Sequence, residues 1–240
     1  MTLDALIFGA HPDDIELTSG GLAALLAAHG HRVGLVDLTR GEGSTRGTVE
    51  TRAQEAAAAA RLLSAHSRRS LALPDMGLNA RDHGQLQAVV ACLREARPSL
   101  VVAPDRHDPH PDHVEGSQLV TRACYLAGLA RFDAPGERFR PRRLLYAMYR
   151  AAKPPHLVVD ISTVWEQRQS ALRAHSSQLA PSGPSTYLTS PDFLPGVEGR
   201  ARAFGALIGV RYGEGYRTHG PLAINDARAL LAPPLPGDPR

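Results

Sequence analysis

The sequence is poor in lysine, cysteine and long apolar runs, and each shortage excludes a class of protein. Cys92 and Cys124 are its two cysteines and form no CxxC pair, so we expect reduced, buried thiols. No stretch approaches the ~20 apolar residues that a transmembrane helix requires. The 27 Lys and Arg residues against 24 Asp and Glu leave a net charge of +3, without a basic block, so nucleic acid is not expected as a partner.

Apolar residues, by contrast, make up 43% of the 240 residues, which is enough for a sizeable core. The sequence opens directly on a strand pattern, without a basic and apolar leader. We therefore expect a cytoplasmic protein that binds neither a membrane nor nucleic acid. We also expect a single domain over 1–240, with a core at about 1–130, a C-terminal extension at about 131–230 and a flexible tail at 232–240.

Apolar strand patterns alternate with helix patterns through the first half of the chain. The predicted strands span 3–10, 32–39, 68–75 and 99–104, and the predicted helices span 17–30, 49–65, 82–98 and 113–129. Such alternation is typical of βαβ units, and near-continuous apolar strands are expected when helices cover both faces of a sheet. We predict an α/β fold with a Rossmann-like, mostly parallel sheet flanked by helices.

The pattern changes after Ala130, where the C-terminal α/β extension begins. Strands are predicted at 142–150, 156–162 and 221–225, helices at 163–179 and 197–210, and a long loop rich in Pro and Ser at 180–196. The stretch from Tyr212 to Tyr216 fits either the closure of a pocket or a contact between subunits, and the sequence leaves both open.

The stretch His11-Pro12-Asp13-Asp14 follows the first predicted strand, at a position where open α/β sheets bind ligands. A dinucleotide loop would need GxGxxG here, and the chain lacks those glycines. Two carboxylates would also repel a pyrophosphate. The stretch by itself leaves two interpretations open, a Pro-Asp turn in which Asp14 caps the next helix, or part of a metal site.

A second polar cluster, residues 103–116, follows the fourth predicted strand. It contains three histidines and three aspartates, namely His107, His110, His113, Asp105, Asp108 and Asp112. Because parallel strands place their following loops at the same edge of a sheet, the two clusters can meet in space. Three His or carboxylate ligands with an open fourth position are typical of catalytic zinc. Carboxylates beyond the ligand set could act as a base or orient the ligands.

At these residues the sequence resembles the LmbE-like/PIG-L family of zinc-dependent de-N-acetylases. That family carries an HPDD-type motif after its first strand and an HPDH-type motif after its fourth, matched here by His11 to Asp14 and His110 to His113. Further stretches, such as "VVDISTVWEQRQSALRAHSSQL", are similar to the branch that includes bacillithiol-biosynthesis deacetylases. The resemblance extends from Asp4 to about Asp226.

The resemblance implies a substrate, a cofactor and an assembly. The substrate would be a small N-acetylated amino sugar, N-acetylglucosaminyl-malate in the bacillithiol branch, hydrolysed to glucosaminyl-malate and acetate. The cofactor would be one Zn²⁺ per chain, or another divalent metal, and the protein would form a homo-oligomer.

The resemblance also implies roles for the matched residues. His11, Asp14 and His113 match the zinc ligands, and Asp13 matches the general base. The water that Asp13 deprotonates would attack the acetamide carbonyl.

Two further matches and one departure concern the oxyanion and the substrate. His110 matches an imidazole that stabilises the oxyanion, which we expect in its protonated form with Asp112 as its orienting partner. Arg52 matches an arginine that meets the acidic part of the substrate. Bacillithiol-type members often carry arginine immediately before HPDH, where this chain has Pro109, and Arg106 is the candidate replacement.

Other functions stay open at the level of sequence. The substrate could be another N-acetyl amino sugar, such as a mycothiol precursor or a chitooligosaccharide. The protein could instead bind a metal or a sugar without catalysis, although that would not require Asp13. A phosphoesterase is the third alternative, but such sites commonly hold two metals and more carboxylates.

Overall fold

Seven strands carry the fold in the computed structural model, which describes residues 2–150 and 153–223. They are β1 (Ala5–Gly9), β2 (Val33–Thr39), β3 (Ser67–Leu73), β4 (Leu100–Pro104), β5 (Arg143–Ala147), β6 (Leu157–Asp160) and β7 (Gly213–Thr218). Within the described residues they form one sheet in the order β3-β2-β1-β4-β5-β7-β6. The first five strands are parallel, whereas β7 runs antiparallel to both β5 and β6. The mostly parallel sheet is therefore confirmed.

Helices cover both faces of this sheet. They are α1 (Asp14–Thr18), α2 (Gly20–Ala28), α3 (Val49–Leu62), α4 (His83–Ala96), α5 (Pro111–Leu126), α6 (Trp165–Arg173), α7 (Ser176–Leu179) and α8 (Phe193–Ala206). On one face, α4 and α5 pack against alternate residues of the central strands, such as Leu6 and Val101. On the other face, α2, α3 and α6 pack against the intervening residues, such as Ile7 and Val102. Burial of both strand faces explains why the central strands are continuously apolar.

Local sequence accounts for where several helices begin. The hydroxyl of Thr48 accepts the N–H of Thr51 at 3.1 Å at the start of α3, and a carboxylate oxygen of Asp82 accepts the N–H of Gln85 at 2.8 Å at the start of α4. Both satisfy N–H groups that a helix leaves without partners. Helix α5 begins at Pro111, two residues before the predicted start, because proline suits the first helical position.

Residues 213–216 of the stretch from Tyr212 to Tyr216 belong to strand β7, Tyr212 directly precedes it, and the whole stretch is buried instead of forming a loop over a pocket. The carboxylate of Glu214 accepts the backbone N–H groups of Gly21 at 2.7 Å and Leu22 at 2.8 Å, and the Tyr216 hydroxyl donates to it at 2.8 Å. A Cβ on Gly21 would lie 2.9 Å from a Glu214 carboxylate oxygen, so the close approach requires glycine. The extension thus caps α2, the second helix after the first polar cluster.

Two predictions for the extension differ from the structure. The helix predicted at 163–179 is divided into α6 and α7 around His175, whose fully buried imidazole lies 3.2 Å from a carboxylate oxygen of Glu16. The strand predicted at 221–225 is not found over 221–223, and its remainder lies outside the described residues, as does the predicted tail at 232–240. Within the described residues, no helix has both the length and the apolarity that a bilayer crossing requires.

Candidate metal centre

The two polar clusters meet where the strand order reverses. Strands β1 and β4 are neighbours at the centre of the sheet, with Ile7 opposite Val102, and the chain continues outward from them in both directions. Residues 11–14 follow β1 and residues 105–113 follow β4. Crevices at such switch points are the usual ligand sites of open α/β sheets.

His11, Asp14 and His113 place one ligand atom each within 4.8 Å of one another. One Asp14 carboxylate oxygen lies 3.2 Å from Nε2 of His113, and the other lies 3.4 Å from Nδ1 of His11. Two imidazoles and one carboxylate are donors that suit zinc and similar divalent cations. Asp13 is not a member of this group.

The remaining ring nitrogens of both histidines face carboxylates. Nδ1 of His113 lies 3.0 Å from Asp108, and Nε2 of His11 lies 3.1 Å from Asp75 and 3.3 Å from Asp112. Histidine ligands are commonly held in this way, because the second carboxylate fixes the tautomer and the direction of the ring. Because the other ring nitrogens are occupied by carboxylates, Nδ1 of His11 and Nε2 of His113 are the atoms that can face a cation.

The electrostatics of the centre favour a positive charge. Burial acts to lower the pKa of His11, but hydrogen bonds to Asp112, Asp14 and Asp75 raise it to about 12. Burial opposes the charge on His113 as well, but Asp14 and Asp108 raise its pKa to about 10. Without a metal, protons on the two imidazoles balance the negative charge of the surrounding carboxylates. A divalent cation can balance the same charge in their place, so the donor set fits a metal by charge as well as by geometry.

A second group of possible ligands consists of His11, His110 and Asp112. It shares His11 with the first group, so one imidazole would have to bridge two ions. The carboxylate of Asp112 is also engaged by the backbone N–H groups of Met76 at 2.7 Å and Leu78 at 3.3 Å. The geometry thus favours a single ion, held by the first group, over a two-metal centre.

Asp13 lies beside the ligand group in a strained conformation. Its φ is 130°, which is rare for a residue with a Cβ and is typical of functional sites. Its carboxylate is buried and lies 3.4 Å from a guanidinium nitrogen of Arg52. Burial raises the pKa of Asp13, while Arg52 acts to lower it. A carboxylate with a raised pKa, next to the ligands but outside their set, is suited to accept a proton.

His110 is oriented by a backbone hydrogen bond within its own loop. Its Nδ1 accepts the backbone N–H of Asp112 at 3.2 Å, so in the neutral ring the proton is on Nε2. Burial lowers the pKa of His110, and the nearby His113 and His11 lower it further. Both features favour the neutral ring over the imidazolium. The Asp112 carboxylate faces His11, and it is the backbone of Asp112 that orients His110.

Arg52 is held by the protein itself. Its guanidinium donates to the carbonyl oxygens of Pro12 at 2.6 Å and Gly41 at 3.2 Å and contacts Asp13, and the residue is only 3% exposed. Gly41 has φ of 67°, and a Cβ there would collide with the guanidinium. Arg52 therefore supports the Pro12–Asp13 turn, and its buried Nε has no hydrogen-bond partner within the described residues.

A cavity of about 300 Å³ opens over the centre. Its floor includes the candidate ligands and Asp13, and its walls are formed by Gly43, Ser44, Asp75, Met76, Tyr149, Gln178, Thr186, Tyr187 and Leu188. Met76 and Tyr187 are 67% and 66% exposed, as expected at a mouth. Arg106 does not line this cavity and instead lines a smaller one.

The sequence prediction missed several cavity residues. Asp75 follows β3 and Tyr149 follows β5, so the rule that placed the other clusters after strand ends could have found both. Tyr187 lies in a short 3₁₀ turn, Tyr187–Thr189, within a stretch predicted as an irregular loop. No local pattern connects that loop with the metal centre.

An open α/β sheet with this donor set and a free carboxylate at its switch point defines a metal-dependent hydrolase. Residues 6–124 match the model of the PIG-L family, described as GlcNAc-PI de-N-acetylase. The chain belongs to this family, whose members are metal-dependent N-deacetylases.

Relatives span most of the chain. A 1D-myo-inositol 2-acetamido-2-deoxy-alpha-D-glucopyranoside deacetylase of Rhodococcus opacus is 29% identical, over 77% of this chain and 85% of its own. The diacetylchitobiose deacetylase of Thermococcus kodakarensis is 28% identical, over 86% and 79%. The crystal structure of the conserved protein TT1542 from Thermus thermophilus superposes with a TM-score of 0.85 and 35% identity, covering 93% of this chain and 97% of that one. The first two relatives are named as deacetylases of N-acetylglucosamine-type sugars, and none of the three is named as a bacillithiol enzyme.

Proposed function

We propose that this protein hydrolyses the acetamide of an N-acetylglucosamine-type glycoside whose aglycone is a neutral sugar or polyol, releasing acetate and the free amine. The observation that carries the proposal is the buried carboxylate of Asp13, which adjoins the His11, Asp14 and His113 group without belonging to it. A protein that only bound a metal would need the three ligands and no such base.

The residues support a direct attack of water on the acetamide carbonyl. A divalent cation bound by His11, Asp14 and His113 would act as a Lewis acid toward the water and the carbonyl oxygen. Asp13 accepts a proton from the attacking water and later returns it to the leaving nitrogen. His110 donates from Nε2–H to the oxyanion of the tetrahedral intermediate. The neutral His110 keeps its Nε2 proton throughout the reaction, because it acts as a hydrogen-bond donor and not as an acid.

The lining of the cavity supports a neutral aglycone. Arg52 is the one Lys or Arg residue that lines it within the described part of the chain, and it already donates to Pro12 and Gly41 and lies 3.4 Å from the Asp13 carboxylate. A malate group would therefore bring its carboxylates into a cavity that also contains Asp75, with a single cation that Asp13 already balances in part. The expected N-acetylglucosaminyl-malate is thus the less suitable substrate.

The size and the mouth of the cavity support the same class. A volume of about 300 Å³ lies at the lower end of small-molecule sites, which suits one N-acetylated ring with the aglycone at the mouth. Met76 and Tyr187 offer apolar and aromatic surface there, and the C–H face of a sugar or cyclitol ring can pack on such a surface. Two relatives are named after their substrates, an inositol glycoside and diacetylchitobiose, and both substrates have aglycones of this kind.

An acetate-release assay tests the proposal. The metal-loaded protein is assayed with the inositol glycoside of N-acetylglucosamine, with diacetylchitobiose and with N-acetylglucosaminyl-malate, and Asp13→Asn serves as the inactive control. We expect kcat/KM for a neutral glycoside to exceed that for the malate glycoside by about ten-fold or more, since a buried unpaired charge costs at least about 1.4 kcal/mol. No acetate from any of the three would refute deacetylation, and a preference for malate would refute the neutral aglycone alone.

A further inference from the structure

A second polar cavity lies against the loop that joins β4 to α5. It measures about 110 Å³ and is lined by seven residues, Arg106, Ser117, Gln118, Thr121, Arg122, Tyr146 and His219. None of them lines the cavity over the metal centre. Within the described residues, no carboxylate lines it.

The lining is rich in hydrogen-bond donors. Arg106 makes no hydrogen bond or ion pair to the part of the chain that the structure describes, and Arg122 uses one nitrogen to donate to the carbonyl oxygen of Ala80 at 3.0 Å. The hydroxyls of Tyr146 and Thr121 lie 2.9 Å apart at the wall. Asp105, which precedes Arg106, is engaged by the imidazole and the backbone N–H of His107, at 3.3 Å each.

Ser117 is the most buried member of the lining. The residue is 1% exposed, and its backbone carbonyl accepts the hydroxyl of Thr121 at 2.7 Å. Ser117, Gln118, Thr121 and Arg122 all belong to α5, so this helix supplies one polar wall of the cavity.

We propose that this cavity binds a small tetrahedral oxyanion, phosphate or sulfate. Liquid water occupies about 30 Å³ per molecule, so the cavity has room for three to four water-sized oxygens but not for a sugar ring. Two guanidinium groups and several hydroxyls around such a volume match the charge and the acceptor oxygens of the anion.

The site has a connection to the metal centre. Arg106, Asp108 and His110 belong to the same loop, and Asp108 orients His113. An anion held between Arg106 and Arg122 would therefore tie this loop to the middle of α5. Its binding is expected to restrain the loop without contacting the substrate.

Calorimetric titration of the zinc-loaded full chain with sodium sulfate, inorganic phosphate and acetate, at constant ionic strength in chloride, tests the proposal. We expect sulfate or phosphate to bind and Arg106→Gln to weaken that binding about ten-fold or more, because a charge-assisted donor is lost. Arg131→Gln is the matched control, since Arg131 is an exposed arginine outside the lining. It is expected to bind like the unsubstituted protein.

Oxyanion binding at the metal centre has to be separated from binding at this cavity. Asp14→Asn removes a candidate metal ligand, so it is expected to retain the sulfate or phosphate site, and addition of Arg106→Gln to that variant is expected to abolish it. Ser117→Ala, a small substitution, provides a second variant with a weaker loss. Unchanged binding in both Arg106→Gln and Ser117→Ala, binding of acetate alone, or no binding up to about 10 mM would overturn the proposal.

Discussion

Nε2 of His11 lies 3.1 Å from a carboxylate oxygen of Asp75, although the two residues follow different strands and are far apart in the sequence. This contact brings a third strand, β3, into the metal centre. The centre is therefore assembled from the ends of three strands of the sheet, β3, β1 and β4, with β2 between the first two.

Loss of the Asp75 carboxylate is expected to weaken metal binding without removing a ligand. Residues that orient metal-binding histidines typically contribute 10- to 100-fold to affinity, so Asp75→Asn should lower the zinc affinity by about that factor. Competition with a chelator of known affinity gives the measurement. Asp133→Asn, an aspartate outside the cavity, is the control, and equal affinities in the two variants would contradict the assigned role.

We expect the two adjacent aspartates to have separate roles, Asp13 as the general base and Asp14 as a metal ligand. Asp13→Asn should keep its metal and lose about 10²- to 10⁴-fold in kcat, because general base catalysis contributes that much. Asp14→Asn should lose the metal as well. Metal content by elemental analysis, together with turnover at saturating zinc, distinguishes the variants. If Asp13→Asn retained full turnover, another group would have to accept the proton.

Substrate packing at the mouth of the cavity is expected to depend on Tyr187. Tyr187→Ala should raise KM for a neutral glycoside by about ten-fold and change kcat little, since the ring contacts the aglycone in the ground state and the transition state alike. Tyr125→Ala is a matched control, because Tyr125 is also exposed but does not line the cavity. A fall in kcat at constant KM would argue against a purely binding role.

Acid stability is expected to depend on the buried Glu16. Burial acts to raise the pKa of Glu16, but Arg68 and His175 outweigh it and lower the pKa from 4.5 to about 2. A carboxyl group whose pKa is depressed by folding stabilises the protein fully above its unfolded pKa. That stabilisation is lost as the pH falls from about 4.5 toward 2.

Glu16→Gln provides the measurement for this pH dependence. The free energy of unfolding, determined by denaturant titration on chelated protein, should be lower than that of the unsubstituted protein by about 3–5 kcal/mol at pH 6, since Arg68 loses a buried partner at 2.5 Å. The difference should shrink as the pH is lowered below about 4.5. A difference that stayed constant down to pH 3 would show that folding does not lower the pKa of Glu16.

Much of the sheet could be predicted from the sequence, because central strands buried on both faces leave long apolar runs. The first polar cluster after β1 and the second after β4 could also be placed at one edge, since that follows from parallel topology. By contrast, β7 has the composition of a Gly-rich loop. A Cβ on Gly215 would meet the Phe204 ring of α8, and one on Gly213 would meet Val158 and the backbone of Gly205, and such contacts between separate elements leave no local periodicity.

The hydrogen-bond partners of side chains in the metal centre were harder to predict from the sequence than the location of the centre. The direction of the Asp112 carboxylate depends on the Met76 and Leu78 backbone, which belongs to the loop after β3. The engagement of Arg52 depends on a turn at Gly41. Both are set by how separate loops fold against each other, and neither has a signature in the neighbouring sequence.

The hydrogen bonds from Gly21 and Leu22 to Glu214 have a consequence for synthesis of the chain. The HPDD-type motif leaves the ribosome before Glu214 does, and α2, which packs against α1, gains its cap only when Glu214 has been made. A nascent chain that ends before β7 would therefore carry Asp14 on a helix whose neighbour lacks its N-terminal cap. Full support of the centre would follow, and not precede, the release of β7 from the ribosome.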